Sequence, residues 1–266
     1  MNRPLLVRLV PDRIKQSLFY RYYNPLPERL APLCASACLR FAPGTRMVGL
    51  LESDVIGASI AVTGFYELEL SKRIRDLALL DGRMIDVGAN IGYFTLLWLS
   101  ARPTNTCHSF EASPRNIQYL RRNINVNGFD DRVIVHPEAA GRELAYMTFD
   151  AGSERQTGWG GFSREKSARS FEVPVVRIDS VITDAHRIDV LKIDVEGADT
   201  WVLLGCEKLL RAKQVRHIFF EQNTPRMTRL GIDRKEAGAF LESMNYHVTC
   251  LGGQDAETTE YHAMPR

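Results

Sequence analysis

The chain has 266 residues, 45% hydrophobic and 25% charged, the composition of a globular protein long enough to bury a sizeable core, which excludes a disordered or fibrous chain. Its formal net charge of +2 argues against nucleic-acid binding driven by overall charge. The charge is unevenly spread: residues 1–46 hold eight Arg and Lys against Asp12 and Glu28, a net +6, which leaves −4 for the remainder.

Pro4, Pro11, Pro25, Pro27, Pro32 and Pro43 interrupt the first 50 residues, so one long helix is excluded. Short helices forming a basic N-terminal extension over residues 1–50 are expected, followed by one domain over 51–266. Phe19, Tyr20, Tyr22 and Tyr23 sit between the basic residues. A solvated flank with its aromatics packed on the main domain is favoured over a basic-aromatic surface that touches a membrane, through residues 1–46, or an anionic substrate. The odd, scattered cysteines Cys34, Cys38, Cys107, Cys206 and Cys250 indicate neither a zinc site nor a disulfide framework. Cys34 and Cys38 have the spacing of neighbours on one helix face and read as small apolar residues. No apolar run approaches the roughly 18 residues that span a bilayer, and no secretory leader pattern is present, so the expectation is a cytoplasmic protein without a transmembrane segment.

From Glu67 onward helix and strand signals alternate. Leu70, Ile74 and Leu77 mark a helix face, Asp81-Gly82 a turn, and Arg83–Val87 a buried strand. Gly92–Leu99 reads as an apolar helix and Ser109-Phe110-Glu111 as the end of a second strand. Ser113 can cap a helix that has Pro114 first and Ile117, Leu120 and Ile124 inside. Further strands are expected at 133–136, 146–149, 171–178, 189–194, 215–221 and 246–251, with helices around 200–210 and 234–244. The alternation predicts an α/β fold: a doubly wound, mostly parallel, seven-stranded Rossmann-like sheet. Such sheets bind ligands at the carboxyl ends of their strands, where Asp86, Glu111, Asp194 and Glu221 are placed.

Asp86-Val87-Gly88-Ala89-Asn90-Ile91-Gly92 joins a buried strand to a helix. Gly88 permits a tight turn and close ligand approach, and Gly92 permits close packing at the helix start. The pattern is not the G-x-G-x-x-G of a pyrophosphate loop. An acidic residue before the turn suits a ligand with a cationic amino group and no phosphate, such as S-adenosylmethionine. Glu111, 19 residues beyond Gly92 at the next strand end, can accept hydrogen bonds from both hydroxyls of a ribose. In Leu191-Lys192-Ile193-Asp194-Val195-Glu196-Gly197 a buried strand ends in two carboxylates, and Phe220-Glu221 is expected beside it. Paired buried negative charge is costly unless a cation, metal or proton is shared.

These segments, together with Gly64-Phe65-Tyr66-Glu67 and Phe110-Glu111-Ala112-Ser113-Pro114-Arg115-Asn116, resemble the FkbM-type S-adenosylmethionine-dependent methyltransferases of class I over roughly residues 54–223. The resemblance implies that Gly88–Gly92 cradles the methionine part of the cofactor, that Glu111 holds the ribose, and that Glu138-Ala139 lies by the adenine. It also places Asp194, Glu196 and Gly197 close to the acceptor or a metal. Ala112 stands where the family usually has proline, and Asp199 where glutamate is common.

The glycine-rich stretch Ala151–Ser170 carries Arg155, Arg164, Lys166, Arg169, Trp159 and Phe162 and is expected to be an acceptor-binding lid. The expected activity is O-methyl transfer from S-adenosylmethionine to a hydroxyl of a sugar or natural product. Asp86, Gly88, Asn90, Gly92, Glu111, Glu138 and Ala139 are the cofactor residues, and Asp194, Glu196 and Glu221 the candidate bases. Direct action of these carboxylates is favoured over Mg²⁺. A nicotinamide-dependent oxidoreductase and a non-catalytic S-adenosylmethionine-binding module are the alternatives.

Overall fold

Met84 to Val87 are all buried, as are all six residues of Ile188–Ile193, and strands with no solvent-facing side require a sheet covered on both faces. The computed structural model describes residues 3–153, 156–253 and 257–266. Its main sheet has seven strands: β1 (Arg83–Val87), β2 (Thr106–Phe110), β3 (Val133–His136), β4 (Ile188–Ile193), β5 (Val215–Asn223), β6 (Tyr246–Gly252) and β7 (Thr258–Pro265). Their order is β3-β2-β1-β4-β5-β7-β6. Only β7 runs antiparallel to its neighbours. The direction of winding reverses between β1 and β4, and there Asp86 lies directly opposite Lys192.

The side-chain period of two divides the core between the faces. Met84, Cys107, Val190 and Phe219 pack under α1 (Val55–Thr63), α2 (Leu68–Ala78) and α3 (Tyr93–Ala101), where Ile60, Ile74, Leu96 and Trp98 are fully buried. Ile85, Leu191 and Ile218 face the opposite side, towards Val202, Leu209 and Leu241. Val7, Phe19, Leu30 and Cys34 of the first 50 residues join the first of these cores. Ser113 caps the helix Pro114–Val126 (α4), with Pro114 at its start.

Several elements differ from the sequence expectation. Residues 145–150 and 170–176 do not enter the main sheet; with 139–140 and 161–162 they form a separate four-stranded sheet. The last main-sheet strand, β7, was not anticipated. The helix expected over 200–210 is two, Asp199–Leu204 (α5) and Glu207–Arg211 (α6). The break at Gly205 lets its carbonyl accept from Asp179 N at 3.0 Å, and a Cβ there would lie 2.0 Å from Gly141 O. The N-terminal extension is not wholly helical, because Ser36–Cys38 pairs with Arg46–Val48. The helix ending at Cys34 therefore does not carry Cys38. All five cysteines are free. Among the described residues no helix is long and apolar enough to cross a membrane.

Phe19 is wholly buried in the core that also holds Phe94 and Trp98. Phe19→Ala should therefore destabilise the whole domain by about 3–5 kcal/mol, read as one shifted transition in urea. Two transitions would show the extension unfolding separately.

Candidate functional site

The carboxyl ends of β1, β2, β4 and β5 open into one cavity of about 720 Å³. Gly88, Ala89 and Asn90 line it from the turn after β1, Glu111 from the end of β2, and Glu138 and Ala139 from the segment after β3. Asp194 and Glu196 enter after β4, and Glu221 from β5. Of the ten residues expected at the site, eight thus line one cavity.

The other two lie behind its wall. Asp86 is fully buried; its Oδ2 accepts from Thr95 Oγ1 at 2.7 Å, and Thr95 Oγ1 is also 2.8 Å from Ser109 Oγ. Gly92 begins α3 at φ +94°, where a Cβ would press to 2.7 Å from Leu120 Cδ1. Gly88 is more tightly constrained. It has φ +75°, and a Cβ on it would lie 1.9 Å from the carbonyl oxygen of Asp194, so no other residue lets the β1 turn pass the end of β4.

Glu111 organises the turn from the opposite side: Oε2 accepts from Asn90 N and Oε1 from Ser113 N, both at 2.8 Å. Asn90 sits at φ +51°, a left-handed conformation that asparagine tolerates better than most residues. Its Oδ1 and that of Asn116 are buried without a hydrogen-bond partner, and both residues line the cavity. Such orphaned acceptors call for a donor from a ligand or a water in the cavity.

The cation that the carboxylates require is Lys192. It is 2% exposed and lines the cavity, with Nζ 3.1 Å from Asp194 Oδ2, 3.8 Å from Asp86 Oδ1 and 5.0 Å from the Phe94 ring centroid. Burial opposes its charge, but Asp194 and Asp86 outweigh that and hold its pKa above the ordinary value. Sequence reading gave Lys192 no role, although a lysine inside an apolar strand was the available signal. Arg226 was also missed; its Nε lies 3.1 Å from Glu196 Oε2. Among the described residues no group of three or more His, Cys, Asp and Glu is placed to hold a metal ion.

The remaining carboxylates are starved of solvent. Burial, only partly offset by backbone donors, pushes Glu111 up to about 7. Burial and the neighbouring Asp194 push Asp199 to about 7. Glu196 reaches about 8 through burial, which the attraction of Arg226 does not cancel. Glu221 is raised further by burial and by Asp194 and Asp199 together.

The stretch after residue 150 closes one side of the cavity. Thr157 donates to Asp54 Oδ1 from its N at 2.8 Å and its Oγ1 at 3.0 Å, while Asp54 Oδ2 caps α1 at Gly57 N. Asn116 Nδ2 donates to Thr157 O at 3.2 Å. Trp159, 57% exposed, stands on the cavity wall. The expected basic character of this stretch is not directed inward. Arg164 Nη2 donates to Leu230 O at 2.6 Å, Arg169 lies 3.8 Å from Asp150, and Arg155 falls outside the described residues. Among the described residues the cations that line the cavity are instead Lys192, Arg226 and Arg229.

The Methyltransferase FkbM domain profile matches residues 86–248, more than half of the chain. The chain belongs to the FkbM methyltransferase family. It is 31% identical over 156 residues to 31-O-demethyl-FK506 methyltransferase FkbM of Streptomyces tacrolimicus, covering 47% of this chain and 59% of that protein. It is 25% identical over 148 residues to Methyltransferase 1 of Beauveria bassiana, covering 48% and 59%. The chain thus spans about three-fifths of the length of these two curated relatives. The crystal structure of precorrin-6y C5,15-methyltransferase from Geobacter metallireducens matches at a TM-score of 0.45 and 12% identity, over 76% of this chain and 90% of that one. At that distance the likeness says nothing of ligand or acceptor.

The raised carboxylates fix the sign of the pH dependence. An unfolded glutamate loses its proton near 4.5, whereas folded Glu111 and Glu196 keep theirs to about 7 and 8. The folded state then binds more protons than the unfolded one, and stability falls as pH rises through that window. His108, His136, His217 and His262, whose values burial lowers, oppose this only below the ordinary histidine value of 6.5. The ligand-free protein should therefore melt at a lower temperature at about pH 8.5 than at about pH 6.5. Glu196→Gln/Glu221→Gln should flatten that slope in the same melts.

Proposed function

We propose that this chain transfers a methyl group from S-adenosylmethionine to a hydroxyl of a sugar or natural-product acceptor. The observation that carries the reading is the division of one cavity: the glycine turn, Glu111 and Glu138-Ala139 come from the ends of β1 to β3, and Asp194, Glu196 and Glu221 from the ends of β4 and β5. Membership of the FkbM family supports the cofactor, and the name of the Streptomyces relative, a 31-O-demethyl-FK506 methyltransferase, supports oxygen as the acceptor atom.

The residues present fit S-adenosylmethionine. Gly88 leaves the turn bare of a β-carbon, Asn90 and Asn116 offer unpaired buried acceptors, and the acidic lining matches a cationic ligand. Gly88–Asn90 would hold the methionine part, with Asp86 and Gly92 supporting that turn from behind the wall, Glu111 the ribose hydroxyls, and Glu138-Ala139 the adenine edge. When bound, the cofactor would supply an electrophilic methyl group on a sulfonium centre, with a neutral thioether as the leaving group.

The chain's own residues align the acceptor and take its proton. Trp159 offers a flat face for a ring, and Arg226, Arg229 and Asn223 surround the acceptor end. Positioning of this kind contributes up to about 7–11 kcal/mol of barrier lowering. Asp194, beside the Lys192 ammonium, is the preferred base, with Glu196 and Glu221 as its neighbours; a carboxylate in that role adds a factor of about 10²–10⁴. The proton leaves from the acceptor oxygen to the carboxylate as the carbon–oxygen bond forms.

Calorimetry should show binding of S-adenosylmethionine and S-adenosylhomocysteine; preference for NAD would overturn the cofactor assignment in favour of an oxidoreductase. Glu111→Ala should weaken that binding by at least about tenfold, since hydrogen bonds to a charged group contribute about 1.5–3 kcal/mol each. Unchanged affinity would leave Glu111 an organiser of the Asn90 turn only.

Turnover with a labelled methyl donor and a panel of hydroxylated sugars and macrolides tests the reaction. Asp194→Asn should lower kcat about a hundredfold or more while changing cofactor affinity much less. Wild-type kcat in Asp194→Asn, Glu196→Gln and Glu221→Gln would remove the carboxylates from catalysis. Labelled amines in place of ethers would replace oxygen by nitrogen as the acceptor atom.

A further inference from the structure

Five of the twelve large apolar side chains exposed among the described residues fall between residues 9 and 26: Leu9, Ile14, Tyr20, Tyr22 and Leu26. Leu9 is 74% exposed. The same stretch is anchored from beneath by Val7, Phe19 and Leu30, which are buried in the core, so its outward side is fixed by packing. Arg8, Arg13, Arg21 and Arg29 are exposed alongside, and no ion pair engages them among the described residues. Asp12, one of the two acids in residues 1–46, is already taken by Lys15 at 2.6 Å and Arg40 at 3.4 Å; exposed Glu28 is the other.

Exposed apolar side chains are ordinary when scattered singly, but here five of them fall in one short stretch together with four exposed arginines, which concentrates both kinds of group at one place in the fold. Nucleic acid would reward the arginines but not the leucines and isoleucine, and an apolar protein groove would reward the reverse. An interface of anionic headgroups over acyl chains rewards both, with arginines at the phosphates, tyrosines at the headgroup level and Leu9, Ile14 and Leu26 below them. We infer that residues 8–29 dock this protein on an anionic lipid surface.

The surface is continuous with the cavity, because Tyr20 and Asn24 belong to both. A docked molecule therefore holds one edge of the cavity mouth against the bilayer, while the remainder of the chain, net −4, is repelled from it. This orientation stands whether or not the chain transfers methyl groups, and its test needs no acceptor.

Co-sedimentation of the full chain with vesicles of phosphatidylcholine, alone or with about one third phosphatidylglycerol, tests it. The protein should pellet with the anionic vesicles only, and added salt should weaken the association. Arg13→Ala/Arg21→Ala should bind about 25-fold more weakly, about fivefold for each cation lost. Leu9→Ser/Ile14→Ser should also bind at least about tenfold more weakly with an unchanged salt dependence. Because all four side chains are exposed, both variants should keep the parent melting temperature, which separates lost docking from lost folding. Equal binding to neutral vesicles, no binding at all, or anionic binding indifferent to the Leu9/Ile14 change overturns the inference. The last result would make the stretch a polyanion patch, with RNA among its ligands.

Discussion

A single buried ammonium joins the two halves of the sheet. Lys192 of β4 and Asp86 of β1 are register partners at the point where the winding reverses, and Lys192 also reaches Asp194 at the strand end. Removing water from Asp86 would be prohibitive without a countercharge, and half-buried Asp194 adds a second carboxylate beside the lysine at the strand end. Taking the lysine alone out of water would be equally prohibitive. Buried Asp86 and Lys192 are each tolerable only in the presence of the other, and that mutual requirement fixes β1 against β4 at the level where the cavity begins. Thr95 and Ser109 extend the network sideways into α3 and β2.

The close approach of backbone follows from the same junction. Asp194 N donates to Val87 O at 3.1 Å, so the end of β4 lies against the turn that follows β1, and Gly88 has no room for a side chain. Glu111 then secures the far side of the turn through two backbone N–H groups. The cavity wall is therefore held by backbone geometry at one end and by protonated or ion-paired carboxylates at the other. Burial and acidic neighbours raise the pKa values of Glu196, Asp199 and Glu221, and a positive charge brought among them lowers all three together.

The parts legible in the sequence were those written in local patterns. Arg83–Val87, the α4 cap at Ser113-Pro114 and the glycine turn each depend on residues within one turn or one strand of one another. What escaped notice depends on distant partners. Lys192 is informative only once it lies opposite Asp86, more than a hundred residues earlier. β7 has just two buried residues, Thr258 and Ala263, and no periodicity distinguishes it from a loop. The strands expected at 146–149 and 171–178 exist as Ala145–Asp150 and Ser170–Val176, the second stopping before the helical turn at Ile178, but nothing local says which sheet a strand joins. Gly205 interrupts a good helical pattern for the sake of contacts with Gly141 and Asp179, neither of which is near it in sequence.

The four-stranded side sheet leaves and rejoins the main fold at nearly one place, because Ala139 pairs with Val175 and Ala140 with Val176. Everything between those two pairs, Trp159 included, is a detour whose endpoints are already tied together. Insertions or deletions within it change the length of the excursion without moving either β3 or β4, and loop closure makes added residues cheap once the ends are held. The wall that Trp159 occupies can thus be remodelled independently of the junction at Lys192, which gives one scaffold room to diversify the shape it presents while its charge arrangement stays constant.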